Sequence, residues 1–263
     1  MKISPKKSLG QNFLKDKKIL NQIVSLGEIG ENDTVIEVGP GTGNLTEEIL
    51  KKKPKHLTVI EKDKNLIEIL KNKFGDKIEI INEDILKFSH NKYINKEIII
   101  FGNLPYNIST QILIKWIRIK KLKNFCKKFI LLFQKEVADR IIADDNSKNY
   151  GRLSILSSWK LNIKKIIDIK PYSFYPSPKV ESSLLILEPK KNYYILENSK
   201  NLEHITNIFF NQRRKMIRRP MKVIFKNFEE MAKTLSLDLN LRPQNLSKLT
   251  YYKICSYYEK LLK

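Results

Sequence analysis

The chain has 263 residues, 41% of them hydrophobic and 10% aromatic, enough for one large α/β domain with an appendage and too apolar for wholesale disorder. A formal net charge of +22 and a pI near 9.8 point to a polyanionic partner such as nucleic acid. No apolar run approaches the ~18 residues of a membrane span. The basic N-terminus lacks the apolar core of a signal peptide. Cys126 and Cys255 form no CxxC pair and the three histidines have no metal-ligand spacing, so a cytoplasmic, metal-free protein without membrane association is expected.

Taken in chain order, short apolar runs alternate with amphipathic stretches from residue 16 to about 160, the pattern of a parallel sheet covered by helices. Ile19, Ile23, Val24 and Leu26 have helical spacing and precede a first strand, "TVIEVG" (34–39). In the turn that follows, Gly39, Gly41 and Gly43 permit a tight bend and close approach of a ligand. Neither the dinucleotide pattern G-x-G-x-x-G nor a P-loop is completed there, so no pyrophosphate cradle is present. A helix is expected after Gly43, then the strand "LTVIEKD" (57–63), then a helix after Asp63. Glu61 lies 22 residues beyond Gly39, where a carboxylate can accept hydrogen bonds from both ribose hydroxyls of a nucleoside. The third strand, "KIEIINED" (77–84), delivers Asp84 for an adenine amino group and the Ile85 backbone N–H for the ring. Ribose and adenine recognition beside a glycine turn, with no phosphate site, suggests S-adenosylmethionine, leaving S-adenosylhomocysteine as product.

The fourth strand, "EIIIFGN" (97–103), opens into Asn103-Leu104-Pro105-Tyr106. An exocyclic amine on a nucleobase is a poor nucleophile because its lone pair is delocalised into the ring. The Asn103 side-chain oxygen and the Leu104 carbonyl are candidate acceptors for its hydrogens, with Pro105 fixing the turn and the Tyr106 ring stacking on an extruded base. Methyl transfer then needs in-line positioning more than acid–base chemistry, which agrees with the absence of a catalytic His or Cys pair.

A fifth strand, "KFILLFQK" (128–135), is followed by a pair at roughly 159–169 and 182–188, separated by "KPYSFYPSPKVE" and read as a closing antiparallel hairpin at one sheet edge. From about 191 only helical spacing remains: Ile205, Ile208, Phe209, then Met216 and Ile217. Within "NQRRKMIRRPMK" lie Arg213, Arg214, Lys215, Arg218, Arg219 and Lys222, and four of the chain's eight arginines fall within seven residues. Read as a helix, the segment places Arg214 and Arg218 on one face with Met216 and Ile217 toward a core, a basic ridge suited to RNA phosphates. A last helix is expected to start from Thr250 as N-cap and to bury Tyr251, Ile254, Tyr258 and Leu261. The predicted architecture is a Rossmann-like methyltransferase domain over residues 1–190 and a small all-helical domain over 191–263.

The motifs "SLGQNFL", "EVGPGTGNLT", "VIEKD", "FGNLPYNIST", "QKEVADR", "NSKNYGRLS" and "FYPSPKVESS" resemble, in order and spacing, those of the small-subunit ribosomal RNA adenine dimethyltransferases. The first four are shared with enzymes that methylate large-subunit RNA; the later ones favour the small-subunit group. The resemblance implies dimethylation at N6 of two adjacent adenines in the hairpin loop near the 3′ end of small-subunit rRNA, by a monomer acting on an immature 30S particle. It implies that Asn12 and Leu14 close over the cofactor, and that Phe174 faces Tyr106 across the target base. Gln244 stands where the family usually has Glu, so no ion pair is expected there. The alternatives are a large-subunit adenine methyltransferase and a non-catalytic RNA-binding assembly factor; the complete Asn103–Tyr106 motif argues against the second.

Overall fold

The computed structural model describes residues 5–6 and 9–262. The chain divides into two compact units: the described residues up to Ala138 with Asn162–Pro189, and Asp139–Leu161 with those from Lys190 onward.

The first unit is built on a seven-stranded sheet. In chain order its strands are β2 (Thr34–Val38), β3 (His56–Glu61), β4 (Glu79–Asn82), β5 (Ile98–Asn103), β6 (Cys126–Gln134), β7 (Leu161–Ile169) and β9 (Ser182–Pro189), arranged β4-β3-β2-β5-β6-β9-β7. The first five run parallel, and β9 lies antiparallel to β6 with Leu132 opposite Leu184. All five strands read from the sequence up to Gln134 are present, with ends shifted by a few residues. β9 is inserted between β6 and β7, so the late strand pair closes one edge as expected. Ile98, Ile99, Ile100 and Phe101 are at most 1% exposed, which is why β5 reads as an unbroken apolar run: helices cover both faces of a parallel sheet. Those helices include α1 (Lys17–Ser25), α2 (Asn44–Leu50), α3 (Lys64–Phe74) and α4 (Ser109–Ile117), and the single turn α5 (Leu122–Phe125) leads into β6. α1 starts where Asp16 accepts from the backbone N–H groups of Lys18 and Ile19, and α3 where Asp63 accepts from that of Asn65. After β4 the chain crosses to the other side of β2 to form β5. This is the switch point at which ligands bind beyond strand carboxyl ends. A separate ribbon pairs β1 (Phe13–Leu14) with β8 (Phe174–Tyr175), antiparallel, Phe13 opposite Tyr175 and Leu14 opposite Phe174.

The second unit is helical. Besides the latter part of α6 (Lys135–Ile142), it holds α7 (Arg152–Lys160), α8 (Ser199–Phe210), α9 (Arg218–Ile224), α10 (Phe228–Thr234) and α11 (Lys248–Leu261). Its core includes Leu202, Ile205, Phe209, Tyr251, Ile254 and Cys255, all fully buried. The buried Glu259 accepts from the backbone N–H groups of Glu197 (2.9 Å) and Asn198 (3.0 Å) and from Asn201 Nδ2 (3.0 Å), tying α11 to the start of α8.

Three expectations for this part of the chain need correction. A helical region starting at 191 omits Asp139–Leu161, which joins it because Tyr150 donates its hydroxyl to the Leu246 carbonyl and the Ile155 carbonyl accepts from Tyr252, each at 2.9 Å. The basic segment is not one helix: 211–217 form turns, and α9 begins only at Arg218. Pro220 explains the break, since its ring and missing N–H are tolerated in a first turn but not farther inside a helix. Met216 is accordingly 54% exposed while Ile217 is buried. Finally, the N-cap of α11 is Ser247, whose Oγ accepts from the Thr250 N–H at 3.2 Å; Tyr258 is half-buried and Leu261 exposed.

Candidate active site

A cavity of about 200 Å³ opens at the carboxyl ends of β2, β3, β4 and β5. The expected cofactor residues Asn12, Gly39, Gly41, Glu61, Asp84 and Ile85 line it, as does the whole Asn103–Tyr106 turn. Gly39 (φ +70°) and Gly41 (φ +58°) both adopt left-handed backbone, which disfavours any side chain. A Cβ on Gly41 would lie 2.6 Å from the Phe13 ring, and one on Gly39 would lie 3.4 Å from the Asn103 carbonyl. The glycines thus let β1 and the β5 turn close in on the same space.

Glu61 is 8% exposed. Its Oε1 accepts from the backbone N–H groups of Lys62 and Asp63, each at 2.9 Å. Burial raises its pKa, against the pull of the Asp63, Lys62 and Gly41 amides toward the charged form. Asp84 has its pKa lowered by the Lys62 ammonium, 2.8 Å from Oδ2, and its Oδ1 accepts from the Leu86 N–H at 2.9 Å. The Asn103 Nδ2 donates to the Asn12 carbonyl at 2.6 Å. That bond uses the donor end of the amide and leaves Oδ1 as its acceptor end. The Tyr106 hydroxyl lies 2.5 Å from Ser182 Oγ at the start of β9, and burial pushes its pKa up.

Leu14 and Phe174 do not line this cavity. Leu14 is buried, and its carbonyl accepts from Asn44 Nδ2 at 2.8 Å. The Phe174 ring is 1% exposed and packs in the hydrophobic core. The cause is strand alternation: pairing of β8 with β1 turns Phe174 inward and its neighbour Tyr175 outward.

Sequence reasoning missed several supporting residues. Lys115 on α4 donates to three backbone carbonyls, those of Ile85 (2.8 Å), Leu86 (2.8 Å) and Phe88 (2.7 Å), and so clamps the loop that carries Asp84. Asp63 accepts from Lys6 Nζ (2.7 Å) and Gln11 Nε2 (2.9 Å), which fastens the segment leading into Asn12. The only hint of Lys115 was one lysine in the otherwise apolar stretch "ILIKWI".

The basic cluster divides into residues with different environments. Arg213 is half-buried, donating from Nε to Gln244 Oε1 at 3.1 Å and from Nη2 to the Lys148 carbonyl at 2.6 Å. An amide oxygen here meets an arginine without an ion pair. Arg218 pairs with Glu229 at 3.0 Å. Arg214, Lys215, Arg219 and Lys222 are exposed.

Residues 3–260 match the family model described as ribosomal RNA adenine dimethylase. The chain belongs to the ribosomal RNA adenine dimethylase family. It is 56% identical, over 99% of both chains, to the ribosomal RNA small subunit methyltransferase A of Pelagibacter ubique (strain HTCC1062). It is 42% identical to the protein of that name from Wolbachia sp. subsp. Drosophila simulans (strain wRi), over 93% of this chain and 90% of the relative. Among solved structures it resembles a dimethyladenosine transferase from Plasmodium falciparum, with TM-score 0.78, 25% identity and coverage of 94% and 98%. The 23S rRNA methyltransferase ErmE shares the fold at TM-score 0.68 and 21% identity, over 95% of this chain and all of that one.

This dimethylase is therefore a Rossmann-like, S-adenosylmethionine-dependent methyltransferase. Its cavity fits the methyl donor chemically: a buried carboxylate at Glu61 for a ribose, a second carboxylate at Asp84 for an adenine, and the room left by two left-handed glycines. Among the described residues, no cluster of His, Cys, Asp or Glu could hold a metal, and no helix is long and apolar enough to cross a membrane.

Proposed function

We propose that this dimethylase converts two adjacent adenines, in the hairpin loop near the 3′ end of small-subunit rRNA, to N6,N6-dimethyladenosine. The shared name of its relatives specifies the small subunit, which supports that choice over a large-subunit target. The enzyme acts as a monomer on an immature 30S particle in the cytoplasm.

The observation that carries the reading is the orientation of Asn103. With Nδ2 held by the Asn12 carbonyl, Oδ1 is the acceptor presented beside the Leu104 carbonyl and the Tyr106 ring. Accepting the amine hydrogens, two before the first transfer and the remaining one before the second, draws the N6 lone pair out of conjugation with the purine. Tyr106 stacks on the extruded base, and Pro105 keeps the acceptors in register with it. Bound S-adenosylmethionine supplies an electrophilic methyl group on its sulfonium. Glu61 and Asp84 hold the donor's nucleoside, so the chain's main task is alignment, where sub-ångström placement governs rate.

The test is incubation of unmethylated 30S particles with the enzyme and radiolabelled donor, followed by primer extension. Dimethylation blocks the Watson–Crick edge, so reverse transcriptase is expected to stop at the two adenines. Label incorporation without those stops, or no incorporation, contradicts the assignment.

A further inference from the structure

The loop between β7 and β9 carries a feature that the reaction described above does not use. Of the chain's exposed large hydrophobic residues, three fall within nine positions here: Tyr172 (71% exposed), Tyr175 (56%) and Val180 (45%). An exposed aromatic ring on a mobile loop is ordinary, but this loop is pinned. Lys170 and Glu181 form an ion pair that closes its base. Lys135 joins Glu181 at 2.6 Å and Asp168 at 3.2 Å, and Ser183 donates to Asp168 at 2.6 Å. Inside the loop, Ser173 accepts a backbone hydrogen bond from Lys15 at 2.9 Å, and Pro171, Pro176 and Pro178 stiffen the chain.

The loop also adjoins the active site. Tyr175 is the register partner of Phe13, and Phe13 and Asn12 line the cavity. Because β8 alternates, the ring that faces outward from this wall is that of Tyr175, not Phe174. Lys15 and Lys179, both exposed, flank it with positive charge. Two uncovered aromatic rings on one pinned loop, with exposed lysines beside them, match the chemistry of single-stranded nucleic acid, where bases stack on rings and phosphates meet cations.

We propose that Tyr172 and Tyr175 form a stacking platform for unpaired nucleotides flanking the target adenine. The proposal rests on the RNA-loop substrate argued above. The platform positions RNA and touches neither donor nor reacting nitrogen.

The experiment compares wild type, Tyr172→Ala, Tyr175→Ala, the double variant and the two Phe variants. Binding to a short unpaired oligoribonucleotide is read by fluorescence anisotropy over a range of salt, and methyl transfer to 30S particles is assayed in parallel. Each Ala variant is expected to weaken RNA binding about 5- to 150-fold, the range for removing one base–ring stack. The Phe variants should bind as wild type. The slope of log K against log salt should stay unchanged, because stacking releases no counterions. Turnover at saturating RNA and donor affinity should also hold. Unchanged oligonucleotide binding in the double variant overturns the platform, as does a Phe variant that loses as much as Ala. A raised KM for particles with normal oligonucleotide binding also overturns it, since the patch would then contact a protein. Wild type that binds the oligonucleotide but fails to methylate particles counts against the proposed function instead.

Discussion

In the proposed mechanism Tyr106 acts through its ring, but its hydroxyl is held too, by a Ser182 that is fully buried at the start of β9. The bond fixes the tilt of the ring, so a phenylalanine keeps the stacking face and loses the tether. Tyr106→Phe and Ser182→Ala are each expected to lower single-turnover rates roughly 2- to 13-fold, the range for one neutral hydrogen bond of about 0.5–1.5 kcal/mol. Since both remove the same bond, the double variant should be no slower than either single one. Additive losses would show that the two groups act separately. Tyr106→Ala should cost more than any of these, with donor affinity intact by calorimetry. At this scale the sequence was readable wherever a residue type has few uses at a strand end: Asn103, Tyr106, Glu61 and Asp84 all reach the cavity. It was unreadable where placement depends on pairing between distant segments. Two-residue strands have no periodicity, so nothing local distinguishes an inward Phe174 from an outward Tyr175. Ser182 likewise acquires its partner only because β9 inserts beside β6.

Elements position these residues, and the loop after β4 has a visible source of order. With all three ammonium hydrogens donated to carbonyls of 85, 86 and 88, Lys115 is a rivet under the Asp84 side of the cavity. Lys115→Met keeps the aliphatic stem and strands three acceptors. Donor affinity should fall at least about tenfold, with kcat at saturating donor largely retained. Equal affinity by calorimetry would mean that the loop holds its shape unaided. The central strand β2 carries a second dependence. Glu37 is fully buried there; burial raises its pKa to about 8, against the Thr46 hydroxyl that donates to it at 2.6 Å. Between about 4.5, its ordinary value, and about 8 the folded chain keeps this proton while the unfolded chain releases it. This group's contribution to stability therefore declines as pH rises through that window. Glu37→Gln should remove that component, so the Tm difference between variant and wild type should shift in the variant's favour from pH 5.5 to 7.5. A constant difference would place the Glu37 titration outside the window. The strands were legible because buried parallel strands are apolar runs of the right length. The basic segment was misread because helical spacing was weighed without Pro220, whose position fixes where α9 can begin.

The whole molecule has so many lysines that charge by itself localises nothing, and the environments of the arginines matter more than their number. Arg214 and Lys215 are exposed on turns, whereas Arg213 is anchored to Gln244 and to the Lys148 carbonyl. Replacing Arg214 and Lys215 by Ala should reduce the salt slope of RNA binding by about 0.7–0.9 for each phosphate left unneutralised, with Tm unchanged. Arg213→Ala should do the reverse, lowering stability by about 1–3 kcal/mol through stranded acceptors while keeping the salt slope. Thermal melts and salt titrations of both variants separate the roles; a Tm loss confined to the Arg214 and Lys215 variant would invert the assignment. The expected boundary near 190 came from a change in pattern along the chain. Sequence order conceals that the helical unit is assembled from two stretches, with Asp139–Leu161 made long before the rest.

That discontinuity sets a timetable for synthesis. Tyr150 meets its acceptor, Leu246, only after 96 further residues have been added. At about 5–20 residues per second, roughly 5–20 s pass between the two leaving the ribosome. For that interval the buried faces of α7, including Ile155, Leu156 and Trp159, lack their latest-made partners. The enzyme that methylates ribosomal RNA is thus itself most open to mispairing and chaperone capture while still attached to a ribosome, and a message truncated before α11 would leave that stretch permanently uncovered.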